Sequence, residues 1–176
     1  MDLTLLYDAS VVVDNNVLQD LIEIGRLDLF FAIFKEIHIP RIVYDQELDV
    51  RVKAGMADLP FFYGCMDTEK SLEIFARLTN EYAYRRLSTS DRHVIAIAGA
   101  YDYYAGSNDG LIRKACCDFN IKMTGTLGIL GCAYQKDIIE KSDFIACLNR
   151  LLSDETTCYI GKKIIDEFLS ELDIQI

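Results

Sequence analysis

Ala9-Ser10-Val11-Val12-Val13-Asp14-Asn15-Asn16 is the stretch on which the fold turns. Its β-branched apolar run reads as a strand buried on both faces, and it stops at three polar residues. Leu18, Leu21, Ile22, Ile24 and Leu27 then recur at helical spacing, so a helix follows the strand directly. Gly25 ends that helix, and Leu27 to Phe34 reads as a second, short one. Ile37-His38-Ile39 is a brief strand, and Pro40 suits the first turn of a helix running to about Leu48.

The pattern repeats further along. Phe61-Phe62-Tyr63 reads as an edge strand or a packed loop, and Glu69 to Tyr84 as one or two helices. Ser88-Thr89-Ser90-Asp91 is a capping box opening a helix that carries Val94, Ile95, Ile97, Ala98 and Tyr101. Asp102 to Ala105 leaves room for a strand that Asn108-Asp109 ends, before a helix from about Gly110 to Asp118. Asn120 to Met123 is a short strand and Thr124 to Gln135 a helix. Two amphipathic helices close the chain, near Phe144 to Leu152 and Lys162 to Leu172. Strand and helix thus alternate, which predicts an α/β fold: a parallel sheet covered by helices on both faces. Residues 1–176 are expected to form one domain.

Composition sets the outer limits. With 176 residues, 51% of them hydrophobic, the chain can bury a core without staples. Only 2 prolines and 10 glycines argue against a low-complexity chain. No apolar run approaches the roughly 18 residues that cross a bilayer, so no membrane partner is expected. Met1-Asp2-Leu3-Thr4 lacks the basic start of a signal peptide, which points to the cytoplasm. Cys65, Cys116, Cys117, Cys132, Cys147 and Cys158 form no C-x-x-C pair, and His38 and His93 are the only histidines, so zinc-finger spacing is absent. The cysteines read as reduced thiols, mostly buried. A net charge of −10 disfavours a stand-alone, sequence-indifferent binder of nucleic acid, because that affinity comes from Lys and Arg on phosphates. It leaves room for an enzyme whose carboxylates hold metal.

Ligands of open parallel sheets gather at the carboxyl ends of the strands. Asp14 closes the first strand there, and Asp109 follows the strand near Tyr103. Asp91 lies in the first turn of its helix and Glu47 late in the helix that begins at Pro40. These four converge if their strands are neighbours. Each also has a plainer role: Asp14 and either Asn108 or Asp109 as helix caps, Asp91 as a partner of Ser88, Glu47 as a solvated acid. Asp45 and Asp102 are assigned to the surface. Clustered carboxylates repel one another, and a divalent cation relieves the repulsion.

Several segments together resemble the PIN-domain nucleases. Val11-Val12-Val13-Asp14-Asn15-Asn16-Val17-Leu18 is similar to the family's opening strand and first acid. Ile39-Pro40-Arg41-Ile42-Val43-Tyr44-Asp45-Gln46-Glu47-Leu48 is similar to its second-acid segment. Leu87-Ser88-Thr89-Ser90-Asp91 and Asn108-Asp109-Gly110-Leu111 are similar to the third and fourth. Ile121-Lys122-Met123-Thr124-Gly125-Thr126-Leu127-Gly128-Ile129-Leu130 resembles a stretch of a small prokaryotic subgroup, similar to VapC toxins. The resemblance spans roughly residues 9 to 172. It implies a three-layer α/β/α sandwich with a short, mostly parallel central sheet. The chain departs from the family pattern at Asn15-Asn16, at Asp91 where Glu is commoner, and at Asn108 where a second aspartate is frequent.

The resemblance implies Mg²⁺- or Mn²⁺-dependent cleavage of RNA, leaving a 5′ phosphate and a 3′ hydroxyl. Asp14 and Asp109 would hold metal directly, Glu47 and Asp91 directly or through water, and Asn16 would orient Asp14. Asn108 and Thr126 are supporting candidates, Thr126 through a phosphate site at the start of its helix. Gly125, Gly128 and Gly131 would let that helix lie close to the sheet. Arg92, Arg113 and Lys114 are candidate RNA contacts, with Arg85, Arg86 and His93 nearby in sequence, His93 as a minor candidate for general base. Pairing with a basic antitoxin would suit an acidic toxin, and the resemblance implies that a homodimer can form, since family members often dimerise. The competing reading is an inactive PIN-like module that binds a protein or RNA. A phosphate-transfer enzyme of the haloacid dehalogenase type, with Asp14 as nucleophile, would need a second aspartate where Asn16 stands.

Overall fold

Val11, Val12 and Val13 are each 0% exposed, although neighbouring side chains on a strand point to opposite faces. Both faces of β1 (Ser10–Val13) are therefore covered, as the unbroken valine run requires. The computed structural model describes residues 1–154 and 156–174. In it, β1 pairs with β2 (Glu36–Pro40) on one side and β4 (Tyr104–Gly106) on the other. β3 (Phe62–Gly64) lies outside β2 and β5 (Met123–Thr124) outside β4. The order is β3-β2-β1-β4-β5, and every pairing is parallel.

The helices make the outer layers of an α/β/α sandwich. α6 (Thr89–Tyr101) packs on β1, β2 and β4, with α5 (Glu69–Asn80) and α7 (Gly110–Asp118) beside it. On the other side, α8 (Thr126–Gln135) contacts α1 (Asn15–Glu23), α2 (Leu27–Ile33) and α9 (Lys141–Leu151). α3 (Arg41–Gln46) and α4 (Val50–Gly55) connect β2 to β3, and α10 (Lys162–Glu171) follows α9. No helix among the described residues is long and apolar enough to cross a membrane.

Several boundaries differ from expectation, each for a local reason. Pro40 ends β2, paired with Gly64, and serves as the N-cap of α3 rather than as its first turn. Residues 50–55 form an extra helix, started by Asp49, whose side chain accepts from the backbone of Arg51 and Val52. β5 begins at Met123, not Asn120, because Asn120 takes a positive φ of 54° and turns the chain out of α7. Thr124 belongs to that strand, opposite Gly106, and α8 starts two residues later. Gly25 ends the first helical segment as expected, with φ at 71°. The glycines of α8 do not all face the sheet. A Cβ at Gly131 would strike Leu3 and Phe168 instead.

This order makes a topological switch. The chain builds outward from β1 through β2 to β3, then returns to place β4 on the other flank of β1. Loops leaving the carboxyl ends of β1 and β4 must diverge, and the crevice between them is where a ligand fits such a sheet.

Candidate active site

Asp14 stands at the carboxyl end of β1 and is the N-cap of α1. It is 5% exposed, yet it holds three hydrogen bonds. Its Oδ1 accepts from the Asn15 backbone at 2.8 Å, and its Oδ2 from Asn16 Nδ2 at 2.5 Å and from Ser107 Oγ at 3.0 Å. Burial pushes the carboxyl up to about 6, against the pull of the Ser107 and Asn15 hydrogen bonds, and the charges of Asp91 and Glu47 push it the same way. Those two acids, remote in sequence, therefore act on Asp14 in the fold.

Ser107 follows β4 across the crevice. Its hydroxyl donates to Asp14 and accepts from Asn16 Nδ2 at 3.1 Å and from the Asp109 backbone at 3.1 Å. One donor and two acceptor sites are thereby filled. Asp109 is joined to Asp14 through this single hydroxyl. Its own Oδ1 caps α7, accepting from Leu111 at 2.6 Å and Ile112 at 3.2 Å. The N-terminus of α6 holds the other two acids. Ser90 donates its hydroxyl to Glu47, the residue that ends α3. Asp91 completes the capping box, its Oδ2 accepting from the Ser88 backbone at 2.7 Å.

A second polar cluster lies behind the first. Asp20, 4% exposed on α1, accepts through Oδ2 from Asn108 Nδ2 at 2.8 Å and Thr126 Oγ1 at 2.7 Å. Cys158 Sγ lies 3.4 Å from the same oxygen. Burial raises the Asp20 carboxyl above its ordinary range, opposed by the hydrogen bonds from Thr126, Cys158 and Asn108. Asn108 Oδ1 accepts from the Thr126 backbone at 2.9 Å, and a side chain at Gly125 would collide with that oxygen. Thr126 is fully buried, with its hydroxyl and amide both committed, so it serves this cluster rather than presenting itself to a phosphate.

The remaining candidates scatter. Arg113 and Lys114 are exposed on α7, and Arg85 and Arg86 are exposed before α6. His93 sits over the Thr89 carbonyl at 2.7 Å and packs edge-on against Phe75, which ties it to α5. Arg92 is half-buried, and its Nε has no partner among the described residues.

A family model, DUF3368, described as a PIN domain, matches residues 10–173. The chain belongs to the PIN-domain family. PIN domains are generally nucleases, and this one has the nuclease fold. No curated protein matches the chain.

This PIN domain fits a hard divalent cation in the chemistry of its donors. Asp14, Asp91 and Glu47 supply oxygen only, the last two repel the charge of the first, and Asn15 Oδ1, on the residue after Asp14, is buried without a partner among the described residues. Among the described residues no three His, Cys, Asp or Glu side chains stand close enough to hold an ion together. The arrangement suits an ion that keeps much of its water and takes one or two carboxylates, as Mg²⁺ does. Ser107, Ser90 and Asp20 join the candidate site without having stood out as candidates in the sequence. Asp20 had a signal: an acid on the buried face of α1, beside Val17, Leu18 and Leu21. Ser107 and Ser90 carried none beyond lying next to Asn108 and Asp91.

Proposed function

We propose that residues 1–176 act as a metal-dependent ribonuclease, of the kind used as the toxin of a toxin–antitoxin pair. One observation carries the reading: a buried aspartate at the sheet's switch point, raised to about 6, with two further acids acting on it. Asp14 and Asp109 would hold Mg²⁺ or Mn²⁺, with Glu47 and Asp91 supporting through water. When bound, the ion supplies Lewis-acid chemistry toward the scissile phosphate and the attacking water. Asn16 and Ser107 orient Asp14 by donating to it, and the Ser107 bond favours its ionised form against the effect of burial. Asp109 can engage the ion and cap α7 together, because its cap uses Oδ1. Arg92, half-buried one residue beyond Asp91, would offer its guanidinium to a phosphate oxygen. The basic residues of α7 would steer the RNA backbone across an otherwise acidic surface. That acidity also suits a basic antitoxin, and a homodimer would widen the groove.

The test is digestion of single-stranded RNA with Mn²⁺ or Mg²⁺, read by 5′-phosphate and 3′-hydroxyl ends. Asp14→Asn and Asp109→Asn should each abolish cleavage. Undiminished cleavage by both removes these residues from the mechanism.

A second reading rests on the caps. Asp91 and Asp109 each spend a carboxylate oxygen on a helix start, which also suits an inactive PIN-like module that binds a protein or RNA. Calorimetric titration with Mn²⁺ separates the two. Binding that Asp14→Asn removes favours the nuclease, and absence of binding by folded protein favours the module.

A further inference from the structure

The two polar clusters form one continuous chain. Asp20 holds the Asn108 side chain, the Asn108 backbone N–H donates to Asn16 Oδ1 at 2.9 Å, and Asn16 Nδ2 donates to Asp14 and Ser107. An amide has one oxygen end and one nitrogen end. Asn108 claims the oxygen end of Asn16, so the nitrogen end must face Asp14. Were Asn16 turned over, its oxygen would meet the Asp14 carboxylate, and two acceptors would repel.

What holds Asn108 in place is therefore decisive for Asp14. Asn108 is itself polarised by its partners: its nitrogen lies on Asp20 and on Thr126 Oγ1, its oxygen on the Thr126 N–H. Thr126 Oγ1 in turn donates to Asp20. The Asp20 carboxylate accepts from both the Asn108 amide and the Thr126 hydroxyl, and it is almost wholly shielded from water. The segment after α9 reinforces it from outside. Thr157 donates to Glu23 from its backbone at 2.7 Å and from its hydroxyl at 2.9 Å, one turn along α1, and Cys158 lies against Asp20. Asp20 touches neither Asp14 nor the open crevice in any of these contacts.

We infer that Asp20 is a positioning residue, which through Asn108 and Asn16 fixes the orientation of the Asp14 carboxylate. The inference rests on the nuclease reading for its consequence in catalysis, but not for its structural content. Buried partners of metal-holding side chains typically matter about 10- to 100-fold in metal affinity or activity. The charge can be exchanged across the contact. In Asp20→Asn the pair has two amides and no carboxylate. In Asp20→Asn/Asn108→Asp the carboxylate returns on the other side, where it can accept from the Thr126 N–H and from residue 20.

The experiment follows the Asn16 side-chain amide by ¹H–¹⁵N correlation in the full chain, and the Mn²⁺ concentration giving half-maximal RNA cleavage. Asp20→Asn should shift the Asn16 amide signals and raise the Mn²⁺ requirement by roughly tenfold or more. The exchanged double variant should return both toward the parent. Unmoved Asn16 signals in Asp20→Asn overturn the inference. So does a double variant that regains thermal stability but not the Asn16 signals, because a purely structural acid behaves that way. Thr126→Val serves if Asp20→Asn does not fold: it removes one donor to Asp20, and unmoved Asn16 signals in it overturn the inference equally. If the parent cleaves no RNA, the nuclease reading fails while the Asn16 signals still decide the role of Asp20.

Discussion

At Asp14, the proposed metal-holding role and stability pull in opposite directions. Its carboxyl is raised from 3.8 to about 6, so the folded state binds the proton more tightly than the unfolded chain does. Stability from this group is greatest below about pH 4, declines as pH rises from 4 to 6, and is flat above. A shift of that size corresponds to roughly 3 kcal/mol, an upper figure for one buried acid. Asp14→Asn should therefore be more stable than the parent at pH 7 without metal, and the gap should close near pH 4. Urea unfolding across that range measures it. Mn²⁺ should raise the midpoint of the parent at pH 7 and leave Asp14→Asn unchanged.

Elements place the acids, and their legibility varied with how local the cause was. The capping box at Ser88 was readable because Ser88 and Asp91 satisfy each other within one turn. Replacing Ser88 with Ala should cost about 1 kcal/mol, seen as a lower urea midpoint with an unchanged slope. Asp91 keeps its bond from the Ser88 backbone in that variant, so its place in the site survives. The valine strand and the helix after it were readable for the same reason. α4 was not, because Val50-Arg51-Val52 alternates in strand fashion and only the Asp49 cap makes it helical. The extent of β5 was set from outside, by pairing of Met123 with Ala105 and of Thr124 with Gly106. Asp20 and Ser107 were hidden because their partners lie about 90 or more residues away in sequence, where no spacing rule reaches.

For the molecule as a whole, burial sorts the thiols. All six cysteines are free. Cys116 and Cys132 are fully buried, and burial pushes their thiols to about 12 and about 11. Cys158, beside Asp20, is likewise held at about 12, chiefly by burial. Cys147 is buried and also raised. Cys65 and Cys117 are exposed. A thiol reagent at neutral pH should label these two quickly in the native protein and Cys116, Cys132 and Cys147 only on unfolding, which mass spectrometry of digested peptides resolves. Cys158 is half-buried, so it should label after Cys65 and Cys117 and before the three buried thiols.

Strand order has a consequence for how the protein is made. β1 is translated before the other strands of the sheet, yet one of its two neighbours, β4, follows some ninety residues later, after β2 and β3, which belong to the opposite flank. Until then Asp14 has no Ser107 to hold it, and Asp109 has not been synthesised. A nascent chain interrupted before Tyr104 carries the first acid of the crevice without the far wall, so the site closes late in synthesis, when long-range pairing finally completes the sheet.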